Sequence, residues 1–232
     1  MNQKTVLRIA AVISGISGVV ILTGVIYPIV SYNSIYSKNY TKFVSPLTGV
    51  TEKSVQSTVS NTITGTNNID YTDASTWFPG AAGEGDFIST QVKYFTISVP
   101  KLRIDNATVA IGGRDLNKSL VQYPGTALPG KRGNSVIFGH SVLPIFYNPK
   151  NYISIFSLLP TLQKGDEIDV NYDGVSYVYR VEEMFEVYPT DIQVLDQDYS
   201  DSFLTLVTCV PPGDPTNPKR LIVRARVVPP TN

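Results

Sequence analysis

Cysteine and histidine are almost missing from this chain: its 232 residues include one of each, Cys209 and His140. A lone cysteine excludes an intramolecular disulfide, so no disulfide framework holds the fold. A lone histidine excludes any multi-histidine metal site. Net charge is missing too. The 19 basic and 19 acidic residues cancel, which leaves no electrostatic footprint for a nucleic-acid partner. No repeat or low-complexity tract interrupts the chain from about Tyr94 onward. Glycine, proline and tyrosine, by contrast, are plentiful at 17, 16 and 14 residues. Such punctuation favours many short strands over long helices.

Charge is also absent from Ile9 to Val30, IAAVISGISGVVILTGVIYPIV. About 20 apolar residues span a bilayer as a helix, and this run has no polar stripe of the kind an amphipathic core helix carries. Lys4 and Arg8 precede it, and no basic residue follows before Lys38. The positive-inside rule then leaves the N-terminus in the cytoplasm and the rest outside. The run is longer than a signal-peptide core and ends in bulky Tyr27-Pro28-Ile29-Val30 rather than a small-residue cleavage site. A retained anchor is therefore expected. The organisation reads as a cytoplasmic N-terminus at 1–8, a transmembrane anchor at 9–30, an extracellular stalk at 31–90 and a main folded domain at 91–232. The stalk is rich in Ser, Thr, Asn, Gly and Tyr, a solvated composition. Trp77-Phe78 is its exception and has two readings, a local packing patch or a lid over an active-site groove.

From Tyr94 the pattern changes. Short apolar runs recur between turn signals at Phe95–Val99, Thr108–Ile111, Ser135–Phe138, Glu167–Val170, Ser176–Val181, Phe203–Thr208 and Leu221–Val227. These predict strands of a closed or sandwich-like β domain. Helical stretches are expected near Lys118–Val121 and Ile153–Leu159.

Three segments carry chemistry. A strand runs through Ser135-Val-Ile-Phe-Gly139 and delivers His140 at its end, where a rigid scaffold commonly holds functional groups. Thr205-Leu-Val-Thr-Cys209 is a strand ending in the thiol, stopped by Pro211-Pro212. Arg220-Leu-Ile-Val-Arg-Ala-Arg226 opens the last strand. By period two, Leu221, Val223 and Ala225 face one way, and Arg220, Ile222, Arg224 and Arg226 the other. An antiparallel pairing of these last two strands would bring Arg220 near Cys209.

Here the sequence resembles the sortase family. TLVTC at 205–209 is similar to its Thr-Leu-X-Thr-Cys signature. Arg220-Leu-Ile-Val, Ile137-Phe-Gly-His140, the GTALPG and GN elements before it, Ile97-Ser-Val-Pro-Lys-Leu102 and Leu162-Gln-Lys-Gly-Asp166 fall in the family's order. The resemblance covers about residues 94–228. It implies an all-β, closed eight-stranded barrel with short helices, preceded by one N-terminal transmembrane helix. It also implies a cysteine transpeptidase with Cys209 as nucleophile, His140 as proton carrier and Arg220 as transition-state cation. The substrate would be a secreted protein bearing a Leu-Pro-X-Thr-Gly-like sorting signal. The acceptor would be an amine, on a cell-wall (peptidoglycan) precursor or a pilin lysine.

The residue types suit that chemistry. Only a thiolate is a strong nucleophile, and a free cysteine is mostly protonated at neutral pH. An imidazolium stabilises the thiolate and later protonates the leaving amine, while an arginine stays charged and donates to a developing oxyanion. Thr208 is the candidate substrate contact. No cofactor is expected, and no acidic cluster marks a calcium site, although scattered carboxylates could build one. The localisation implied is a bacterial cell membrane, single-pass, with the catalytic domain on the extracellular face. Two rivals remain: a peptidase using water as acceptor, and a non-catalytic binding module. The module predicts a buried, slowly alkylated Cys209.

Overall fold

A computed structural model describes residues 3–36, 40–42, 70–78, 93–214, 216 and 219–229. Its strands are β1 (Thr41–Lys42), β2 (Tyr94–Val99), β3 (Ile104–Ile111), β4 (Leu120–Gln122), β5 (Gly133–Phe138), β6 (Glu167–Tyr172), β7 (Val175–Val187), β8 (Ser202–Val210) and β9 (Lys219–Val227). They pair in the circular order β7-β6-β2-β3-β4-β5-β8-β9 and back to β7, which is the expected closed eight-stranded barrel. β1 adds in parallel beside the far half of β7, with Thr41 opposite Phe185.

Alternation along the strands sorts the apolar residues into two clusters. Ile97, Val99, Val109, Tyr179, Leu204, Leu206, Leu221 and Val223 fill the barrel interior. Val136, Phe138, Val207, Cys209 and Ile222 form a second cluster on the outer face. A side-chain period of two makes this division follow from the order of residues in β8 and β9. β7 changes faces part-way. Its pairing with β9 shifts register between Val181 and Glu183, and a bulge of this kind swaps which residues face inward. Val181 is therefore interior, whereas Phe185 and Val187 join the outer cluster.

The short helices of the domain are 3-10 turns. The stretch expected as helix at Lys118–Val121 instead enters β4, which pairs in parallel with β3 and antiparallel with β5. Leu120 and Val121 are completely buried there, and burial in the barrel wall overrides local propensity. The stretch at Ile153–Leu159 is a run of turns that passes into a 3-10 turn at Leu159–Thr161.

Ahead of the barrel, α1 (Gln3–Ser31) has a mean hydropathy of 2.4 over its most apolar 18-residue window, none of which is buried. It is compatible with a single-pass membrane span. Of the stretch read as a stalk, Tyr32, Tyr36 and Tyr40 pack on the barrel cluster, β1 pairs with β7, and Ala74, Trp77 and Phe78 join the outer cluster. Tyr32 is 3% exposed, and Trp77 and Phe78 are 0% and 1% exposed. The rest of that stretch lies outside the described residues.

Candidate active site

β5 and β8 run parallel, with Phe138 opposite Val207. Their C-terminal ends therefore sit side by side, and His140 and Cys209 follow at matching positions. Gly139 N–H donates to Val207 O at 3.2 Å. The Thr208 hydroxyl donates to Gly139 O at 2.8 Å, and the Ser141 hydroxyl to Cys209 O at 2.6 Å. These bonds stitch the His140 turn to the thiol strand on both sides. Gly139 has no room for a side chain. A Cβ there would meet Phe156 at 2.4 Å and Leu120 at 2.5 Å.

β8 and β9 are antiparallel, and Cys209 lies directly opposite Arg220. The sequence-expected trio thus converges at one end of the barrel, on its outer face. Thr208, expected as a substrate contact, is completely buried and faces away from the Cys209 side of β8. Its hydroxyl is committed to Gly139, which makes it a fastener behind the site. The remaining arginines of β9 form surface pairs, Arg224 with Glu183 at 3.7 Å and Arg226 with Glu182 at 2.9 Å.

A segment that sequence reasoning left open covers this trio. Residues 70–78 lie across it. The Trp77 ring stacks on Phe138, with centroids 5.3 Å apart, and lies 6.0 Å from the His140 ring. The Arg220 guanidinium sits 5.3 Å from the Trp77 centroid and donates to Trp77 O at 3.4 Å. Phe78 packs against Phe138 from 5.9 Å. The segment is pinned to the barrel by Ala74 N–H to Arg114 O and Leu116 N–H to Thr72 O, at 3.0 and 2.9 Å. An Asp73–Arg114 ion pair at 2.6 Å adds to this. An exposed ion pair of this kind contributes roughly 0.2–1 kcal/mol, so the apolar seat of Trp77 and Phe78 is the main hold.

Burial sets the electrostatics. Cys209 is 4% exposed. Burial pushes its thiol up to about 11, opposed in part by the positive charge of Arg220. Burial lowers the His140 pKa below its ordinary 6.5, opposed by Asp70 and Asp115. The His140 Nε2 atom is buried without a hydrogen-bond partner. Burial thus disfavours both charged forms, the thiolate and the imidazolium. A buried thiol is also what a non-catalytic module predicts. Here a separate nine-residue stretch contributes to the burial, which bears on how the thiol is uncovered. Among the described residues no group of three or more His, Cys, Asp or Glu side chains could hold a metal ion.

The sortase domain family model matches residues 97–228. The chain belongs to the sortase family. Sortase A of Streptococcus agalactiae serotype III is 26% identical over 132 residues, which are 56% of this chain and 51% of that protein. The match thus spans about half the length of this curated relative. Solved sortases share the barrel. Sortase C-1 of Actinomyces oris superposes with a TM-score of 0.52 at 27% identity, over 60% of this chain and 76% of its own. A Clostridium perfringens sortase D5 transpeptidase gives 0.50 at 27%, over 61% and 82%. A lid mutant of sortase A from Corynebacterium diphtheriae gives 0.51 at 28%, over 62% and 74%. Sortases are cysteine transpeptidases of the cell surface, and the His140, Cys209 and Arg220 trio lies inside the matched region.

Proposed function

We propose that this sortase is a membrane-anchored transpeptidase that cleaves a Leu-Pro-X-Thr-Gly-like sorting signal and transfers the acyl group to an amine. The observation that carries the reading is the convergence of the three residues. Cys209 faces Arg220 across one strand pair, and His140 leaves the parallel neighbour strand at the same level.

In the proposed reaction the proton moves from Cys209 Sγ to His140, and the thiolate attacks the carbonyl carbon of the signal threonine. The carbonyl electron pair moves to oxygen, where the Arg220 guanidinium balances the charge. The oxyanion then collapses, the peptide C–N bond breaks, and His140 returns its proton to the departing glycine amine. A thioester to Cys209 remains. The acceptor amine attacks it, loses a proton to His140, and the thiolate leaves. An amine attacks a thioester more readily than water does, which favours transfer over hydrolysis.

Residues 70–78 act in this reading as a lid, the kind of element for which the Corynebacterium diphtheriae lid mutant is named. Trp77 and Phe78 share the outer apolar cluster with the thiol, and in this reading the signal peptide enters as they leave. Acceptors of the reading are a peptidoglycan precursor or a pilin lysine, and no cofactor is needed for any step. The site would work on the extracellular face of a bacterial membrane.

The test uses the full chain in lipid vesicles with a Leu-Pro-X-Thr-Gly peptide library and triglycine, products being read by mass spectrometry. Ligation after Thr, lost in Cys209→Ala, supports the reading. Cleavage without an amine-ligated product would make the enzyme a peptidase. No turnover even in Trp77→Ala, with the fold intact, would leave a binding module.

A further inference from the structure

The anchor is not joined to the barrel by a slack tether. α1 projects clear of the barrel, its apolar window unburied. Yet Tyr32, the residue directly after it, is buried in the barrel-interior cluster. Its hydroxyl donates to Glu186 Oε1 at 2.7 Å, and Lys219 Nζ holds Glu186 Oε2 at 2.7 Å. Tyr36 and Tyr40 pack on the same cluster, and the Tyr40 hydroxyl donates to Pro160 O at 2.9 Å. From Val30, the end of the apolar run, to Tyr32 is two residues of helical chain, about 3 Å at 1.5 Å per residue.

The clamp also selects which end of the barrel faces the anchor. Glu186 lies opposite Leu221, and Lys219 opposite Val210. The Cys209–Arg220 pair sits between those two positions. Each strand step is about 3.3 Å, so the clamp and the thiol occupy the same end of the barrel.

One loop at that end carries exposed apolar side chains. After His140 the chain continues through Leu143 into the 3-10 turn Pro144–Phe146. Leu143 seats this loop against the β8–β9 connection, so closely that a Cβ on Gly213 would meet Leu143 Cγ at 2.5 Å. Beyond it Ile145 and Phe146 are 71% and 66% exposed. No charged residue occurs from Ser141 to Pro149. Adjacent bulky apolar and aromatic side chains on an uncharged loop suit insertion at the headgroup boundary.

We propose that the Cys209 end of the barrel is a bilayer-facing surface, held by the Tyr32–Glu186–Lys219 clamp, with Ile145 and Phe146 as its lipid contact. The proposal rests on reading α1 as a membrane anchor.

The lone cysteine makes a clean test possible. In a full-length Cys209→Ala background, Phe146→Cys and Val175→Cys each carry one environment-sensitive fluorophore. Val175 starts β7 at the opposite end of the barrel and is half exposed. Each chain is placed in phosphatidylcholine–phosphatidylglycerol vesicles, with nitroxide quenchers on the lipid headgroup or upper acyl chain. The expected result is quenching of about twofold or more at position 146 and none at 175, as for an interfacial side chain. Adding Tyr32→Phe and Glu186→Gln should reduce the quenching at 146 while the protein still floats with the vesicles.

Equal quenching at both positions, or none at 146 in a chain that floats with vesicles, would overturn the proposal. So would a signal at 146 that needs other membrane proteins and is absent in pure lipid. Quenching at 146 that the clamp substitutions leave untouched overturns the clamp. A chain washed off the vesicles by alkaline carbonate would overturn the anchor reading, and this proposal with it, while leaving transpeptidation in detergent untouched.

Discussion

Removing the cover should make Cys209 reactive, by an amount that follows from its burial. In the covered arrangement burial pushes the thiol up to about 11 from an ordinary 9.0. Trp77→Ala with Phe78→Ala deletes both rings and lets water and Arg220 act on the sulfur. At about pH 7.5, a return from about 11 to 9.0 raises the thiolate fraction about a hundredfold. Nucleophilicity falls with pKa at a Brønsted slope of about 0.4–0.5, which takes back about six- to tenfold. The chemical gain is therefore about tenfold or more. Access adds to it, since the thiol is only 4% exposed. The assay is pseudo-first-order alkylation by iodoacetamide, read as intact mass, beside a thermal melt to show that the double variant stays folded. A rate within about twofold of wild type, with a cooperative melt retained, would refute the reasoning. The thiol would then be buried by the barrel itself, and residues 70–78 would be packing only.

Other expectations follow from the same geometry. Arg220→Ala should lower ligation by about 10²–10³, as for loss of an oxyanion donor, with Arg220→Lys recovering part; peptide-ligation kinetics decide this. Thr208→Val removes the hydroxyl that holds Gly139 O, and should cost about 1–3 kcal/mol in a thermal or denaturant melt, whereas Thr208→Ser should be nearly neutral. Gly139→Ala drives a methyl into Phe156 and Leu120 and should cost about 1–3 kcal/mol, with lower ligation as His140 shifts. Burial lowers the His140 pKa below 6.5. A lowered pKa means stability that is full above the unfolded value and lost as pH falls through the folded one. Melts of wild type should therefore weaken on acidification below 6.5 more steeply than melts of His140→Gln, and parallel slopes would remove His140 from the covered network.

Much of the site was legible because strand period and connectivity constrain it. β9 follows a period of two, so the sides taken by Leu221, Val223 and Ala225, and by Ile222, could be read directly. The Cys209–Arg220 pairing followed from one short Pro- and Gly-rich connection. β4 was not legible. Leu120-Val-Gln122 is too short to display a period, and what makes it a strand is its place between β3 and β5. The facing of Phe185 and Val187 was hidden for another reason: the register shift after Val181 swaps inside and outside, and it leaves no mark in composition. Tyr32, Tyr36 and Tyr40 were read as part of a polar stalk. Their partners, Glu186 and Pro160, lie more than a hundred residues away, and long-range pairings of this kind have no local signature.

One residue of the cover neighbours two members of the trio, and this bears on how the thiol is kept quiet. Trp77 stacks on the strand that delivers His140, neighbours the His140 ring, and lies against the Arg220 guanidinium. Its departure cannot free one group alone. Rehydration would let the imidazole take a proton at the moment the thiol can lose one, and would release the Arg220 donor now pointed at Trp77 O. Desolvation disfavours both charged forms in the covered state, so thiolate and imidazolium are suppressed together and would be restored together. A thiol kept neutral in this way is also a poor target for oxidants, which attack the thiolate. The same substitution therefore tests two consequences: Trp77→Ala should be alkylated faster, and should also lose activity faster under dilute peroxide. A variant that gains alkylation rate without gaining peroxide sensitivity would show that access, rather than thiolate formation, is what the cover controls.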